Sequence, residues 1–542
     1  MKTVVILYGG DLTRHAFEKV FDGKSAFDRV LGWASVFGEK TILLSKSNSP
    51  VSAEISSVIG PMRNVELVER DFWSKADLIG RISESIKKNS ADCAVISYAD
   101  TPFLSEGLTR ELLDMHGRYA AEYSFADGFP YGLCPEILDG GTASILSELS
   151  RTSLGDEGGR PVDREAVFSV LRGDINSFEI ETLISDEDYR LLRLSFESSS
   201  RINFLACRNL FGEAVRRNVS LSDAYALSDL AAGTASVLAT VPAFYNIQIS
   251  SRYNHACAYS LESVGKSPAP KDFMDIGDFR KILSQIRDFS GDAVISLSAF
   301  GEPLLNPDFF DFAAEVISAN DVEHRIPLMI ETDGLLVTEE LSQRVSALAS
   351  ERKAEVNWIV SVDAAEKSMY ARLHNCGEED FERALSSVSV LERDFPGHVY
   401  PQFVRMRDNE SQLEAFYRFW KERGSPSRGE LIIQKYNSVC GALPDLKSAD
   451  LSPVGRLPCW HLRRDMTVLC DGSVPVCFQL SFPEGAGNIL SDGIERVWGR
   501  ISDALSGHIE CGELSGICRR SGTGRSLPAH CGSCDESYTF NF

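Results

Sequence analysis

The residues best suited to chemistry crowd one end of this chain. Of its 13 cysteines, seven lie between Cys459 and the C-terminus. Cys459, Cys470 and Cys477 fall in PCWHLRRDMTVLCDGSVPVCF, followed by Cys511, Cys518 and the pair Cys531 and Cys534 of HCGSCD. A C-x2-C pair sets two thiolates on one tight turn, close enough to share a metal centre. Four thiolates hold either zinc or a [4Fe–4S] cluster, and spacing alone does not choose between them. The stretch TVLCDGSVPVC reads as a β-hairpin turning at Asp471-Gly472, which presents Cys477 to that centre and leaves Cys470 within the first strand. An odd cysteine total makes a poor disulfide framework.

The other candidate residues stand where apolar runs end. Gly9 and Gly10 follow TVVILY, Asp100 follows CAVISYA, Glu302 lies in FGEP, Thr332 and Asp333 in ETDG, and Asp363 in VSVDAAEKSMYARLH. The elements that must position them follow from the hydrophobic pattern. TVVILYGG, KTILLSK and DCAVISYAD read as strands, and SAFDRVLGWASVF and LTRELLDMHGRYAAEY as helices. This alternation predicts an α/β domain with a mostly parallel sheet, whose ligands sit at the carboxyl ends of strands. We place that domain at 1–185 and a helical connector at 186–240. A second α/β series at 241–440 has strands in AVISLSAFGEP, IPLMIETDG, NWIVSVDAA and VYPQFVRM. Regularity fades from about 440, where Gly, Pro and Cys rise, and 441–542 suits a small metal-organised module.

A chain of 542 residues is too long for one core. The net charge of −23, from 55 basic and 78 acidic residues, argues against nucleic acid or an anionic membrane as partner. No apolar run reaches the ~18–20 residues that span a bilayer. MKTVVILYGGD is too short in apolar residues for a signal peptide and reads as a buried strand. The expected compartment is the cytoplasm, where clustered thiols mean metal more often than disulfides.

Cys459-Trp460, the Asp471-Gly472 turn before Cys477, Gly487-Asn488-Ile489, a helix carrying Trp498 and the closing C-x2-C together resemble the SPASM domain, the auxiliary-cluster module of many radical SAM enzymes. The resemblance implies one auxiliary [4Fe–4S] cluster on Cys459, Cys477, Cys531 and Cys534, with Cys511 and Cys518 as extra ligands in some layouts. FGEP, ETDG and the segment around Asp363 resemble the strand-end motifs of a radical SAM partial barrel. There Glu302 would meet the amino group of S-adenosylmethionine, with Thr332 and Asp363 on the same rim. The C-x3-C-x2-C loop of that family is replaced by Tyr253, Cys257 and Ser260. One thiolate cannot hold a cluster that needs three, and S-adenosylmethionine would lose its two strongest contacts. The barrel is therefore expected to be non-radical, and Cys257 a buried small residue.

LYGGDLTRHAFEK, GKSAFDRVL and YADTPFL resemble nucleotidyltransferases of the cytidylyltransferase type. The resemblance implies a phosphate cradle at Gly9, Gly10 and Arg14, and Mg²⁺ on Asp100. The whole is similar to the spiro-SPASM family, which supplies a domain plan more than a reaction. Three functions follow as expectations. The first is an iron–sulfur protein serving peptide or protein maturation or electron transfer, with a peptide or protein as partner. The second is a nucleotidyltransferase acting on a sugar or small molecule. The third is a radical SAM enzyme with unorthodox ligation.

Overall fold

The computed structural model of the chain describes residues 1–152, 158–265, 271–321, 324–422, 431–449, 458–479, 485–510, 531, 534 and 536. They form two compact units, one on Met1–Thr240 and one from Val241 onward. The protein is α/β throughout, and each unit is built on a seven-stranded sheet. Among the described residues no helix is long and apolar enough to cross a membrane.

The first sheet has strands β1 (Thr3–Tyr8), β2 (Thr41–Lys46), β3 (Val65–Arg70), β4 (Cys93–Tyr98), β5 (Tyr123–Asp127), β6 (Glu136–Asp139) and β7 (Ile180–Ile184), in the order β3-β2-β1-β4-β6-β5-β7. Strands β3 to β4 run parallel, and β6 is inserted antiparallel to both neighbours. A sheet covered on both faces needs strands apolar on both faces. Accordingly Val4 and Ile6 pack into one core cluster, and Val5 and Leu7 into another on the opposite face. The covering helices start at built caps. Ser25 and Asp28 close a capping box on Ala26–Phe37, and Ser74 and Asp77 do the same on Lys75–Asn89. The helices Arg201–Arg217 and Ala224–Ala232 belong to this unit.

The second sheet is an open row of parallel strands, the wall of a partial barrel. It holds β8 (Phe244–Ile247), β9 (Val294–Ser296), β10 (Leu328–Thr332), β11 (Val356–Ser361), β12 (Val399–Arg405), β13 (Ile432–Lys435) and β14 (Asp465–Val468), in the order β13-β12-β11-β10-β9-β8-β14. The position of β14 differs from the sequence reading. Instead of forming the first arm of a hairpin, it lies parallel to β8, with Met466 beside Tyr245 and Val468 beside Ile247. Met466 and Val468 are fully buried, which an isolated hairpin arm could not offer them. The turn itself is present. Leu469 N–H donates to the Ser473 carbonyl at 2.8 Å, with Gly472 at φ +81°. The strand beyond it, β15 (Ser473–Val474), pairs instead with β16 (Gly487–Asn488).

Candidate metal centre and barrel-mouth pocket

Three chain segments of the second unit bring cysteines to the wall of one cavity, lined by Cys440, Cys459, Cys477, Cys531 and Cys534 beside His461, His508 and Glu536. Cys459 is the N-terminal flanking residue of the short helix Trp460–Arg464, which leads directly into β14. Cys477 follows β15, whose approach is fixed by Asn488. The Asn488 side chain donates to the Asp471 carbonyl at 2.9 Å and accepts from Leu490 N–H at 2.9 Å. Cys531 Sγ lies 3.2 Å from Nε2 of His508, on the helix Ile494–Glu510 that also carries the buried Trp498. Cys534 is hydrogen-bonded with Cys440, and Glu536 N–H donates to its sulfur at 3.4 Å. Burial pushes the Cys459 thiol up to about 12, with the nearby Cys477 adding to it. Thiols so placed ionise only when a cation shares the site.

Cys440 was not among the residues singled out from the sequence. It leaves β13 on a turn in which Val439, Cys440 and Gly441 all take positive φ, at +50°, +51° and +81°. Such backbone is costly for a β-branched residue and persists only where the surroundings impose it. Cys470 does not line the cavity; its thiol donates to the Gln248 carbonyl at 3.1 Å. Cys511 and Cys518 lie outside the described residues.

At the carboxyl ends of the strands the barrel opens into a pocket of about 230 Å³, lined by Tyr253, Cys257, Glu302, Glu331, Asp333 and His374 among others. Glu302 is buried and holds the rim together. One oxygen accepts from Thr332 Oγ1 at 2.9 Å and Leu304 N–H at 3.0 Å, and the other from Asp333 N–H at 2.9 Å. Burial, then the Asp333 charge, pushes its carboxyl up, against the pull of these donors. Thr332 is buried, and Asp363 is fully so, at φ +59°. Cys257 is half-buried and faces the pocket, where a core cysteine was expected. Phe478, stacked on Phe300 with centroids 4.5 Å apart, lines both the pocket and the cysteine cavity. His255, Cys376 and Asp380 have ligand atoms within 4.8 Å of one another, but Arg383 already pairs with Asp380 at 2.8 Å.

In the first unit the residues expected to handle a nucleotide are otherwise engaged. Both oxygens of buried Asp100 accept from Arg164, at 2.9 and 2.8 Å, so a guanidinium stands where Mg²⁺ was expected. Arg164 also pairs with Glu197 at 3.0 Å and lies 4.4 Å over the Tyr98 ring. Gly9 N–H is spent on the Leu44 carbonyl at 2.7 Å, and the Tyr8 ring lies against Gly10. Arg14 is exposed at the start of a short 3-10 turn.

No protein-family model matches the chain. A protein of Treponema pallidum (strain Nichols), described as uncharacterized, is 35% identical over 384 residues, covering 69% of this chain and 98% of that protein. A second protein of the same strain, also described as uncharacterized, is 42% identical over 53 residues, 10% of this chain and 24% of its own length. Solved structures with a similar arrangement include Streptococcus suis SuiB bound to precursor peptide SuiA, at 12% identity and TM-score 0.41, covering 69% of this chain and 82% of that one. Native anSMEcpe with bound AdoMet is similar at 15% identity and TM-score 0.38, covering 55% and 96%. A cytidylyltransferase from Leptospira borgpetersenii serovar Hardjo-bovis is similar at 15% identity and TM-score 0.33, covering 42% and 92%.

Proposed function

The chain belongs to the family of the Treponema pallidum protein with which it shares 35% identity over nearly all of that protein's length, and from that footing we propose that it is a non-radical iron–sulfur protein holding one [4Fe–4S] cluster. The observation that carries this reading is the convergence of Cys459, Cys477, Cys531 and Cys534 on one cavity. These four would be the ligands, with Cys440 as a neighbouring thiol hydrogen-bonded to Cys534.

The resemblance of 441–542 to an auxiliary-cluster module supports iron–sulfur over zinc. Bound there, a cluster supplies one-electron redox capacity and pins the three segments together. The barrel offers Cys257 alone where three thiolates would hold a radical-generating cluster, and Glu302 already serves three donors of its own rim. The spiro-SPASM domain plan, with 441–542 as the cluster module, and a peptide or protein as partner belong to the same proposal.

Anaerobic purification with iron, sulfide and zinc analysis tests it. About one cluster per chain is expected, lost in the Cys531→Ser/Cys534→Ser variant and retained in Cys257→Ser and Cys440→Ala. Zinc without sulfide overturns the iron–sulfur assignment. A second cluster lost with Cys257 overturns the non-radical one.

A further inference from the structure

The barrel-mouth pocket contains a second reactive constellation that the metal centre does not use. Cys257 Sγ lies 3.5 Å from His374 Nδ1, and His374 Nε2 lies 3.1 Å from Asp363 Oδ2. The three residues come from the loop after β8, the end of the helix Lys367–His374 and the end of β11. Cys257 and His374 line the pocket, the imidazole largely buried, and Asp363 is buried behind them. Asp363 is held from several directions. Its Oδ1 accepts from Val404 N–H at 2.6 Å, its Oδ2 from Tyr259 OH at 2.5 Å, and its carbonyl from Asn409 Nδ2 at 2.9 Å. These contacts keep a non-glycine residue at φ +59°, the strained backbone found where a side chain must be aimed. Tyr370 stacks on the imidazole with centroids 4.1 Å apart, fixing the ring plane.

This is a nucleophile, a base and an orienting carboxylate in hydrogen-bonded sequence. A cysteine serving only to fill space would not face a cavity while contacting an imidazole whose far nitrogen meets a buried carboxylate. Burial disfavours the charged imidazole, yet Cys257 and Asp363 lift it to about 10. The titratable groups facing the pair are Tyr253 and Tyr259 on its loop, Glu331 and Asp333 at the end of β10, and Tyr370 and Cys376 on and after the helix.

We propose that Cys257 is a catalytic nucleophile, with His374 as its general base and Asp363 as a positioning residue, that accepts the acyl group of an ester or thioester. His374 takes the Cys257 proton as the sulfur attacks the carbonyl carbon, and the bond to the departing oxygen or sulfur breaks. The imidazolium returns the proton to that leaving group, and Cys257 carries the acyl group as a thioester. Water, deprotonated by His374, then releases a carboxylic acid and restores the thiol, with no oxidant or reductant consumed. Ser298, Ser361, Gln402 and Asn437 line the pocket with groups suited to carbonyl and amide atoms. The carboxyl groups of Glu302, Glu331 and Asp333 in the same wall, against the single lysine Lys435, favour a neutral acyl group over an anionic one. The inference does not depend on the cluster.

The test uses the full-length, anaerobically purified protein and p-nitrophenyl acetate. A burst of about one p-nitrophenolate per chain is expected, with one acetyl group on the peptide containing Cys257 and none there in Cys257→Ala. His374→Gln slows acylation by ~10²-fold or more. Asp363→Asn, which keeps the side chain's shape, moves the pH midpoint of acylation downward, because the charge that lifts His374 is gone, a shift that mere loss of packing would not produce. Absence of the burst, acetylation of another residue, or a pH profile unchanged in Asp363→Asn overturns the proposal. Iron content measured on each variant keeps this outcome separate from that of the cluster.

Discussion

Replacing Arg164 with Met removes the partner of a carboxylate that water barely reaches. The Asp100 side chain is 3% exposed, and both its oxygens accept from the guanidinium. Stranding one member of such a pair costs ~3–5 kcal/mol, more than the pair itself contributes over an apolar substitute. The Arg164 side chain is 27% exposed, so water can partly re-enter, and the lower end, about 3 kcal/mol, is expected. Glu197 also loses its contact at Oε2, while Ser199 and Asn203 donate only to Oε1, so part of the loss belongs to Glu197. Two units make a single global unfolding energy ill-defined, so hydrogen exchange read by mass spectrometry on β1 and β4 peptides is the suitable assay. Protection there should fall about a hundredfold in Arg164→Met. Most of it should return in Asp100→Leu/Arg164→Met, where neither partner is stranded. A loss below ~1 kcal/mol in the single variant would refute the reasoning. So would strong protection of β4 by Mg²⁺ in the unaltered protein, because Asp100 would then be exchanging Arg164 for the cation.

Three further outcomes follow from the second unit. Glu302→Gln, though nearly isosteric, should cost ~1–3 kcal/mol in exchange protection of β10, because each carboxylate oxygen accepts a backbone N–H and an amide NH₂ must oppose one of them. Gly472→Ala meets both a φ of +81° and the Leu490 side chain at 2.7 Å. It should lower the urea concentration that releases iron, consistent with a loss of ~1–2 kcal/mol, whereas Gly507→Ala, with open space around it, should not. The folded pKa of His374, about 10, lies above its ordinary value, so the stability it contributes is complete below pH ~6.5 and lost as pH rises toward 10. Exchange in the Lys367–His374 helix should therefore gain less protection loss with rising pH in His374→Gln than in the native chain, after correction for intrinsic rates.

Strands β1, β4, β10 and β11 are legible because their apolar runs end sharply in turn residues, and the buried face needs little else to be inferred. Strand β3 was missed because VELVER mixes apolar and charged residues, which suits its place at the sheet edge. Strand β14 was misassigned because Asp471-Gly472 is a strong local turn signal, while its true partner, β8, lies more than two hundred residues away. The C-x2-C pair pointed to a metal centre from spacing alone, but Cys440 stands without a nearby cysteine. Its available signals were Gly441 after it and its place just beyond the last predicted barrel strand. Cys257 and His374 are 117 residues apart, and neither carries a local pattern that would join them. Arg164 lies 64 residues from Asp100 with no local pattern to join them, so their pairing is a purely tertiary fact.

The parallel pairing of β14 with β8 has a consequence for synthesis. A chain emerging from the ribosome exposes the β8 edge early and keeps it open until residues 465–468 follow. Pairing across such a span is slow, and an unfilled edge can recruit a foreign strand in the meantime. Because Cys459 lies one short helix ahead of β14, the same docking event that shields the edge also delivers a thiol to the cavity wall. If the proposed cluster binds there, its loading and completion of the barrel become one late checkpoint, and a chain cut shortly after β13 should be captured by chaperones rather than accumulate as a free-standing barrel.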